Sequence, residues 1–395
     1  MQAFNFTMPT KFYVGCGQVN QLKELAPQYG KKAMVCAAKD TMRQLGILDR
    51  VVDLLEDAGV AVSIIDDVEP NPRDVDIDRQ VQFFLSEGCD FTIGLGGGSA
   101  LDTAKAVAFM AAQTPGDSVR DYLAGGSKSD LADVKKPYPV ICITTTAGTG
   151  SEATKWFVIT NTINHDKPGV GHDLLMPSVS IVDPDLMMTM PPSVTRSCGI
   201  DVLFHAMEAY LAKCANAFTD ACALEAIRLV IKYLDRAIKN GANDKEAREY
   251  MAWANTLGGI VIGEGNSGTV AIHALGHSVG GQTNAPHGLT MCPLAVPYLE
   301  MTWDADIERH AKLTRLFGYG DDTMTQQQLA ALCPKAMEGV LERFNCNITL
   351  KDLGVTEEMI EPMTDSVFQT MAGVLNNSLK PFTREDVVAL YKKSM

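Results

Sequence analysis

The stretch "HALGHSVGGQTNAPHG", residues 273–288, holds three of the seven histidines of the chain. His273 and His277 are four positions apart, so a helix sets both on one face, and His287 follows a glycine-bearing turn. Upstream, Asp201 and His205 repeat the spacing of four in "GIDVLFHAMEAY". Alone, either pair is more often a capped or solvated helix face than a site. Together, a carboxylate and two or three imidazoles form a ligand set that suits Zn2+ or Fe2+ and leaves a position open to substrate. His165, His172 and His310 have no such company and are expected at the surface or in loops.

A second chemistry is written in glycine. In "GLGGGSALDTAK", Gly96, Gly97 and Gly98 let the backbone approach a ligand, Ser99 can bond an anion, and a helix start near Ala100 offers free N–H groups. That is a pyrophosphate cradle in physical terms, although Gly94, Gly96 and Ser99 do not reproduce the GxGxxG spacing. The plain alternative is a glycine-rich turn closing a βα unit. The polar loop "TTTAGTGSEAT", residues 144–154, also follows a strand-like run, where open α/β sheets bind ligands. A Lewis acid that polarises a carbonyl and a nicotinamide that exchanges hydride would use both sets of residues.

These groups need a frame. In the first half, strand-like runs ("KKAMVCAA", "VAVSIID", "DFTIGLG", "PYPVICITTT") alternate with helical ones ("DTMRQLGILDRVVDLLEDAG", "DVDIDRQVQFFLSEG", "SALDTAKAVAFMAAQ"). This alternation predicts a doubly wound, mostly parallel sheet. From about residue 193 nearly every segment has helical period, and the double proline Pro191–Pro192 marks a boundary. The expected organisation is an α/β dinucleotide-binding domain over residues 1–190 and an all-α metal-binding domain over 191–395.

Composition narrows the class. The chain has 395 residues, 46% of them apolar, and a net charge of −14, which argues against a nucleic-acid partner. No run approaches the ~20 apolar residues of a membrane span. The start "MQAFNFTMPTKF" lacks a signal-peptide pattern, and the ten cysteines form no CxxC pair, so reduced thiols in the cytoplasm are expected.

The order of "GGGSALDTAK", "TTTAGTGSEAT", "DVLFHAMEAY", "HALGHSVGG" and "PHG" resembles the iron-containing (group III) alcohol dehydrogenase family, and the likeness spans essentially the whole chain. The resemblance implies NAD(H), a divalent metal (Fe2+, with Zn2+ as the alternative), a small alcohol or aldehyde as partner, a homodimer or larger homo-oligomer, and an active site between two domains. It makes Asp201, His205, His273 and His287 the metal ligands and His277 a non-ligand that relays protons near the nicotinamide. It sets Gly97, Gly98 and Ser99 at the pyrophosphate, with Asp102, Thr144, Thr145, Thr154 and Lys167 directed to the cofactor. Dehydroquinate-synthase-like lyases share this plan but favour a glutamate ligand where Asp201 stands. A protein that binds metal or dinucleotide without catalysis is the remaining alternative.

Two departures stand out. Where NAD-using members of the family commonly carry an aspartate after the first strand, this chain has Lys39 followed by Asp40, so NADP(H) stays open beside NAD(H). Where members acting on apolar alcohols place apolar side chains, this chain reads "GEGNSGTVAIH", with Glu264, Asn266, Ser267 and Thr269, and Trp156 follows Thr154. The expectation is a short-chain substrate with a polar or anionic tail, such as sulfoacetaldehyde or isethionate. The alternatives are a neutral alcohol or diol, with these hydroxyls and amides serving the helix backbone.

Overall fold

The computed structural model describes residues 3–263 and 267–395, so Glu264 and Asn266 lie outside the described residues. Eight strands are present among them: β1 Lys11–Val14, β2 Lys32–Ala38, β3 Ala61–Val68, β4 Phe91–Gly96, β5 Val140–Thr144, β6 Trp156–Val158, β7 Gly169–Gly171 and β8 Val179–Val182. Six of them form one parallel sheet in the order β1-β8-β5-β4-β2-β3, and β6 and β7 pair as a small antiparallel ribbon.

The period of two explains why this sheet is buried on both faces. Met34 and Cys36 of β2 join a core with the helices Asp74–Glu87 and Gly98–Ala112, while Ala33, Val35 and Ala37 face the helix Ile47–Asp57. The order reverses between β2 and β4, so their carboxyl ends open the crevice where doubly wound sheets take ligands.

The strands and helices expected in residues 31–113 are observed with end shifts of a residue or two, with one exception. The segment expected as a single helix after β2 breaks at Gly46, whose φ of 68° is left-handed, into Thr41–Gln44 and Ile47–Asp57. Strands β1 and β8 and the β6–β7 ribbon had no counterpart in the sequence reading.

Beyond β8 the described chain is helical. Pro192–Tyr210 starts with proline in its first turn, where the missing N–H costs nothing. Ala217–Asn240 is held by a capping box in which Asn216 accepts from Thr219 N at 3.2 Å and Thr219 Oγ1 accepts from Asn216 N at 2.9 Å. These helices share one large apolar core with Lys245–Gly263 and Ala271–Thr283. No helix among the described residues is long and apolar enough to cross a membrane.

Candidate active site

Asp201 and His205 sit one turn apart on Pro192–Tyr210, and His273 on Ala271–Thr283. His287 opens the short helix His287–Thr290 after a left-handed turn at Asn284. Gly288 makes the close approach possible. A Cβ there would stand 1.9 Å from Ser197 O and 3.1 Å from Asp201 Cβ, so any larger residue would push His287 away from the Asp201 helix.

The result is a converging set. The Nε2 atoms of His205, His273 and His287 lie 3.8, 3.6 and 3.8 Å from Asp201 Oδ1. A tetrahedron of ligands about 2.1 Å from a central ion has edges of about 3.4 Å, close to these spacings. Asp201 Oδ1 and His273 Nε2 are buried without a hydrogen-bond partner, which a cation at their centre would satisfy. The donor set therefore fits a divalent metal.

Charge supports the same reading. Burial resists ionisation of Asp201, but the three imidazoles hold its carboxyl below the ordinary range. Burial pushes His205 down to about 4 and His287 well below its usual value, so both rings are neutral. His273 is the exception: burial opposes its charge, yet Glu208 and Asp201 hold it up to about 9. A metal ion would take the place of that proton between two carboxylates.

Glu208 was not anticipated. It lies on the same helix as Asp201 and is fully buried; its Oε1 accepts from His273 Nδ1 at 2.5 Å, and its Oε2 accepts from Val270 N at 2.8 Å. The bond fixes the tautomer, so His273 presents Nε2 to the cluster.

The glycine turn and the 144–154 loop meet as two strand ends. Gly98 opens the helix Gly98–Ala112, and a Cβ on it would come within 2.6 Å of the Thr149 methyl. Thr145 N donates to Gly96 O at 2.9 Å, and the Thr144 hydroxyl donates to Thr146 O at 3.0 Å. The Ser99 hydroxyl accepts from Asn71 N at 3.2 Å.

One cavity of about 670 Å3 joins both halves. Gly98, Ser99, Asp102, Thr149, Thr154, Trp156 and Lys167 line it together with His205, His273, His277, His287 and Thr269.

The comparisons with known proteins bear on this arrangement. The family description "iron-containing alcohol dehydrogenase" matches residues 9–184, and its C-terminal counterpart matches residues 195–395. The chain belongs to the iron-containing alcohol dehydrogenase family.

It is similar to the NAD-dependent methanol dehydrogenase of Bacillus methanolicus, with 34% identity over 99% of this chain and 100% of that protein. Among solved structures it resembles the archaeal halo-thermophilic Red Sea brine pool alcohol dehydrogenase ADH/D1, with 33% identity, a TM-score of 0.94 and full coverage of both chains. It also resembles the sulfoacetaldehyde reductase of Bifidobacterium kashiwanohense in complex with NAD+, with 28% identity, a TM-score of 0.84, and coverage of 100% of this chain and 99% of that one. Membership makes the protein an NAD(P)-linked alcohol dehydrogenase of the iron-containing type and sets aside the lyase and the non-catalytic alternatives.

Within this dehydrogenase the remaining sequence-read residues divide. Asp102 is half-buried, and burial raises its pKa; Oδ1 accepts from Ser151 Oγ at 2.6 Å and Oδ2 from Val158 N at 3.0 Å. Lys167 Nζ donates to Asn71 Oδ1 at 2.7 Å. His277 Nδ1 donates to Lys167 O at 3.0 Å, and burial together with the Lys167 charge pushes the ring down to about 3. A neutral ring with its proton on Nδ1 keeps Nε2 as an acceptor.

Gly96, Gly97, Thr144 and Thr145 adjoin the lining residues at the two strand ends without lining the cavity themselves. Lys39 and Asp40 follow the carboxyl end of β2, at the crevice, and do not line the cavity. Lys39 Nζ pairs with Glu69 Oε1 at 2.5 Å, and Asp40 adopts a positive φ of 54°. Ser267 is turned inward, its hydroxyl donating to Ala209 O at 2.5 Å, and it borders a neighbouring smaller pocket with Trp156.

His310, expected at the surface or in a loop, is instead fully buried in the helix Ile307–Leu316. Its Nδ1 donates to Asp306 O at 2.7 Å, which satisfies one ring nitrogen inside the core.

Sequence reasoning also missed the buried Lys105. Its ammonium donates to Ser151 Oγ at 2.8 Å, Thr154 O at 3.0 Å and Trp156 O at 2.9 Å, so it shapes the loop that floors the cavity. Its signal was present: Lys105 follows Asp102 by three positions, on nearly the same helix face.

Proposed function

We propose that this dehydrogenase interconverts a short-chain alcohol and its aldehyde with NAD(H), and that its substrate carries a polar or anionic tail. The observation that carries the reading is the shared cavity: His205, His273 and His287, which converge with Asp201 as metal-type ligands, face the same space as Ser99, Asp102 and Lys167. Asp201, His205, His273 and His287 would hold the metal, Fe2+ or Zn2+. Gly97, Gly98 and Ser99, with the first N–H groups of the helix Gly98–Ala112, would hold the cofactor pyrophosphate. Thr144, Thr145 and Thr154 would support the nicotinamide half, with Asp102 and Lys167 beside it. When bound, the metal supplies Lewis acidity toward the carbonyl and the nicotinamide supplies hydride.

The chain's own residues then do three things. Glu208 keeps His273 in one tautomer, the walls of the cavity orient the substrate, and His277 handles a proton at Nε2. Because Nδ1 is committed to Lys167 O, a proton reaching Nε2 makes an imidazolium that burial disfavours, so it is passed on rather than stored. His277→Ala should lower turnover while metal content stays intact.

The tail is read from Trp156 and Thr269 on the cavity wall and from the sulfoacetaldehyde reductase among the structural relatives. A neutral short-chain alcohol is the second reading, favoured by the apolar wall of Ile262, Met371 and Val374. The Lys39–Glu69 pair favours NAD(H), because Glu69 already neutralises the cation that a 2′-phosphate would seek. A cytoplasmic, homo-oligomeric enzyme is part of the same proposal, with all ten cysteines present as free thiols.

The test is a rate panel at 340 nm with Fe2+-loaded enzyme and NADH, comparing propanal and lactaldehyde with sulfoacetaldehyde and succinate semialdehyde. A tenfold advantage in kcat/KM for an anionic aldehyde, about 1.4 kcal/mol of transition-state preference, supports the tail. A neutral aldehyde winning by that margin removes it.

A further inference from the structure

The cavity has an end that neither the metal cluster nor the cofactor turn accounts for. Two lysines line the cavity among the described residues, Lys167 and Lys213. Lys167 lies beside the glycine turn, donates to Asn71 Oδ1 and has the Asp102 and Asp201 carboxylates acting on its charge. Lys213 is different. It stands three residues beyond the end of Pro192–Tyr210, the helix that carries Asp201 and His205, and it borders the cavity beside Cys214, Gly268, Thr269 and Asn377.

Its backbone is anchored and its charge is not balanced. Lys213 N donates to Asn377 O at 2.9 Å, and the adjacent Ala212 bridges to Ser378. Asn377 then ties this segment to the next wall: its Oδ1 accepts from Cys214 N at 3.3 Å, and its Nδ2 donates to Ser267 O at 2.6 Å and Thr269 O at 3.0 Å. The Lys213 ammonium donates to one backbone carbonyl, Asn376 O, at 2.9 Å and pairs with no carboxylate among the described residues. Ten other lysines pair with carboxylates among the described residues, as Lys155 does with Asp173 and Lys380 with Asp304. In a chain of net charge −14, an anion is repelled at long range unless a local cation receives it.

We propose that Lys213 is the specificity-determining residue for the far end of the substrate: it takes the carboxylate or sulfonate of an ω-anionic aldehyde whose carbonyl sits at the Asp201–His273 cluster. Ile262, Met371 and Val374 supply the apolar wall for the methylenes between the two ends. A carboxylate there gains a charge-assisted bond from an ammonium that otherwise spends one donor on Asn376 O. The inference rests on the aldehyde-reductase reading and adds to it a residue and a substrate class.

The test uses the metal-loaded full chain and two readouts. In steady state, Lys213→Gln should raise KM for succinate semialdehyde about tenfold, leave kcat within about twofold, and leave butanal unchanged; Lys213→Arg should restore the anionic substrate. Rising salt should weaken succinate semialdehyde and spare butanal in the wild type. In calorimetry without nicotinamide, 4-hydroxybutyrate should bind Lys213→Gln about tenfold more weakly, while 1,4-butanediol binds both proteins alike. Equal 4-hydroxybutyrate affinity in the wild type and Lys213→Gln, with butanal still reduced, overturns the role of Lys213 and leaves the dehydrogenase reading standing. A metal-loaded wild type that reduces neither aldehyde sinks the reading itself, and the calorimetric comparison still decides Lys213. A loss of both substrates and of metal in Lys213→Gln would assign the residue to the scaffold and also overturn the proposal.

Discussion

Glu208 and His273 meet at 2.5 Å across two helices, and that contact joins the helix of Asp201 and His205 to the helix of His273. Two backbone N–H groups, of Val270 and His273, hold the other carboxylate oxygen at 2.8 and 3.2 Å. Glu208→Gln keeps the volume but turns one acceptor into a donor against donors. Metal affinity should fall about 10- to 100-fold, read by competition with a chromogenic chelator. Equal metal retention in the variant would show that Glu208 serves only packing.

Gly288 offers a second handle on the same centre. Alanine there would bring Cβ against Ser197 O, so the His287 segment must retreat from Asp201. Gly288→Ala should cost about 1–3 kcal/mol of stability and release metal at lower chelator concentration than the wild type. An unshifted urea midpoint together with unchanged metal content would mean that the 287–290 helix relaxes freely.

The ion pair at the end of β2 predicts a shift in cofactor choice. Glu69→Gln leaves Lys39 unpaired at the crevice mouth. The ratio of kcat/KM for NADPH over NADH should rise about fivefold, more at low salt than at high. A ratio that does not move would place the ribose hydroxyls elsewhere.

His310 predicts an acid-side loss of stability. Burial lowers its pKa, so the folded ring stays neutral, whereas the unfolded ring takes up a proton near the ordinary 6.5. A group with a depressed folded pKa makes the native state lose stability as pH falls through that unfolded value. Urea midpoints of metal-loaded enzyme from pH 8 to pH 5.5 should fall more steeply for the wild type than for His310→Asn. Parallel curves would refute the assignment.

What the sequence revealed depended on distance along the chain. Asp201 with His205, and His273 with His277, are helical-turn pairs, so spacing alone puts each pair on one face. The βα alternation through residue 113 was visible for the same local reason. Glu208 was not, because its partner His273 is 65 positions away and a buried glutamate on a helix has no periodic mark. The isolated β1 pairs with β8, more than 160 residues later, and a four-residue strand carries too short a pattern to be read alone. His310 was misread because one histidine among polar neighbours looks exposed until the helix shows which side it faces.

Lys105 has a consequence for how such an enzyme can change over generations. It braces the loop at Ser151, Thr154 and Trp156 from the very helix whose first turn is proposed to cradle the cofactor, so floor and proposed cradle are one rigid casting. The wall at 213–214, 267–269 and 370–377 is tied together at Asn377, whose side chain bonds Cys214 N, Ser267 O and Thr269 O and whose carbonyl accepts from Lys213 N, not at Lys105. Mutations there can alter which molecules are accepted without disturbing how hydride is delivered. Dietary change and chemical competence are thus inherited separately.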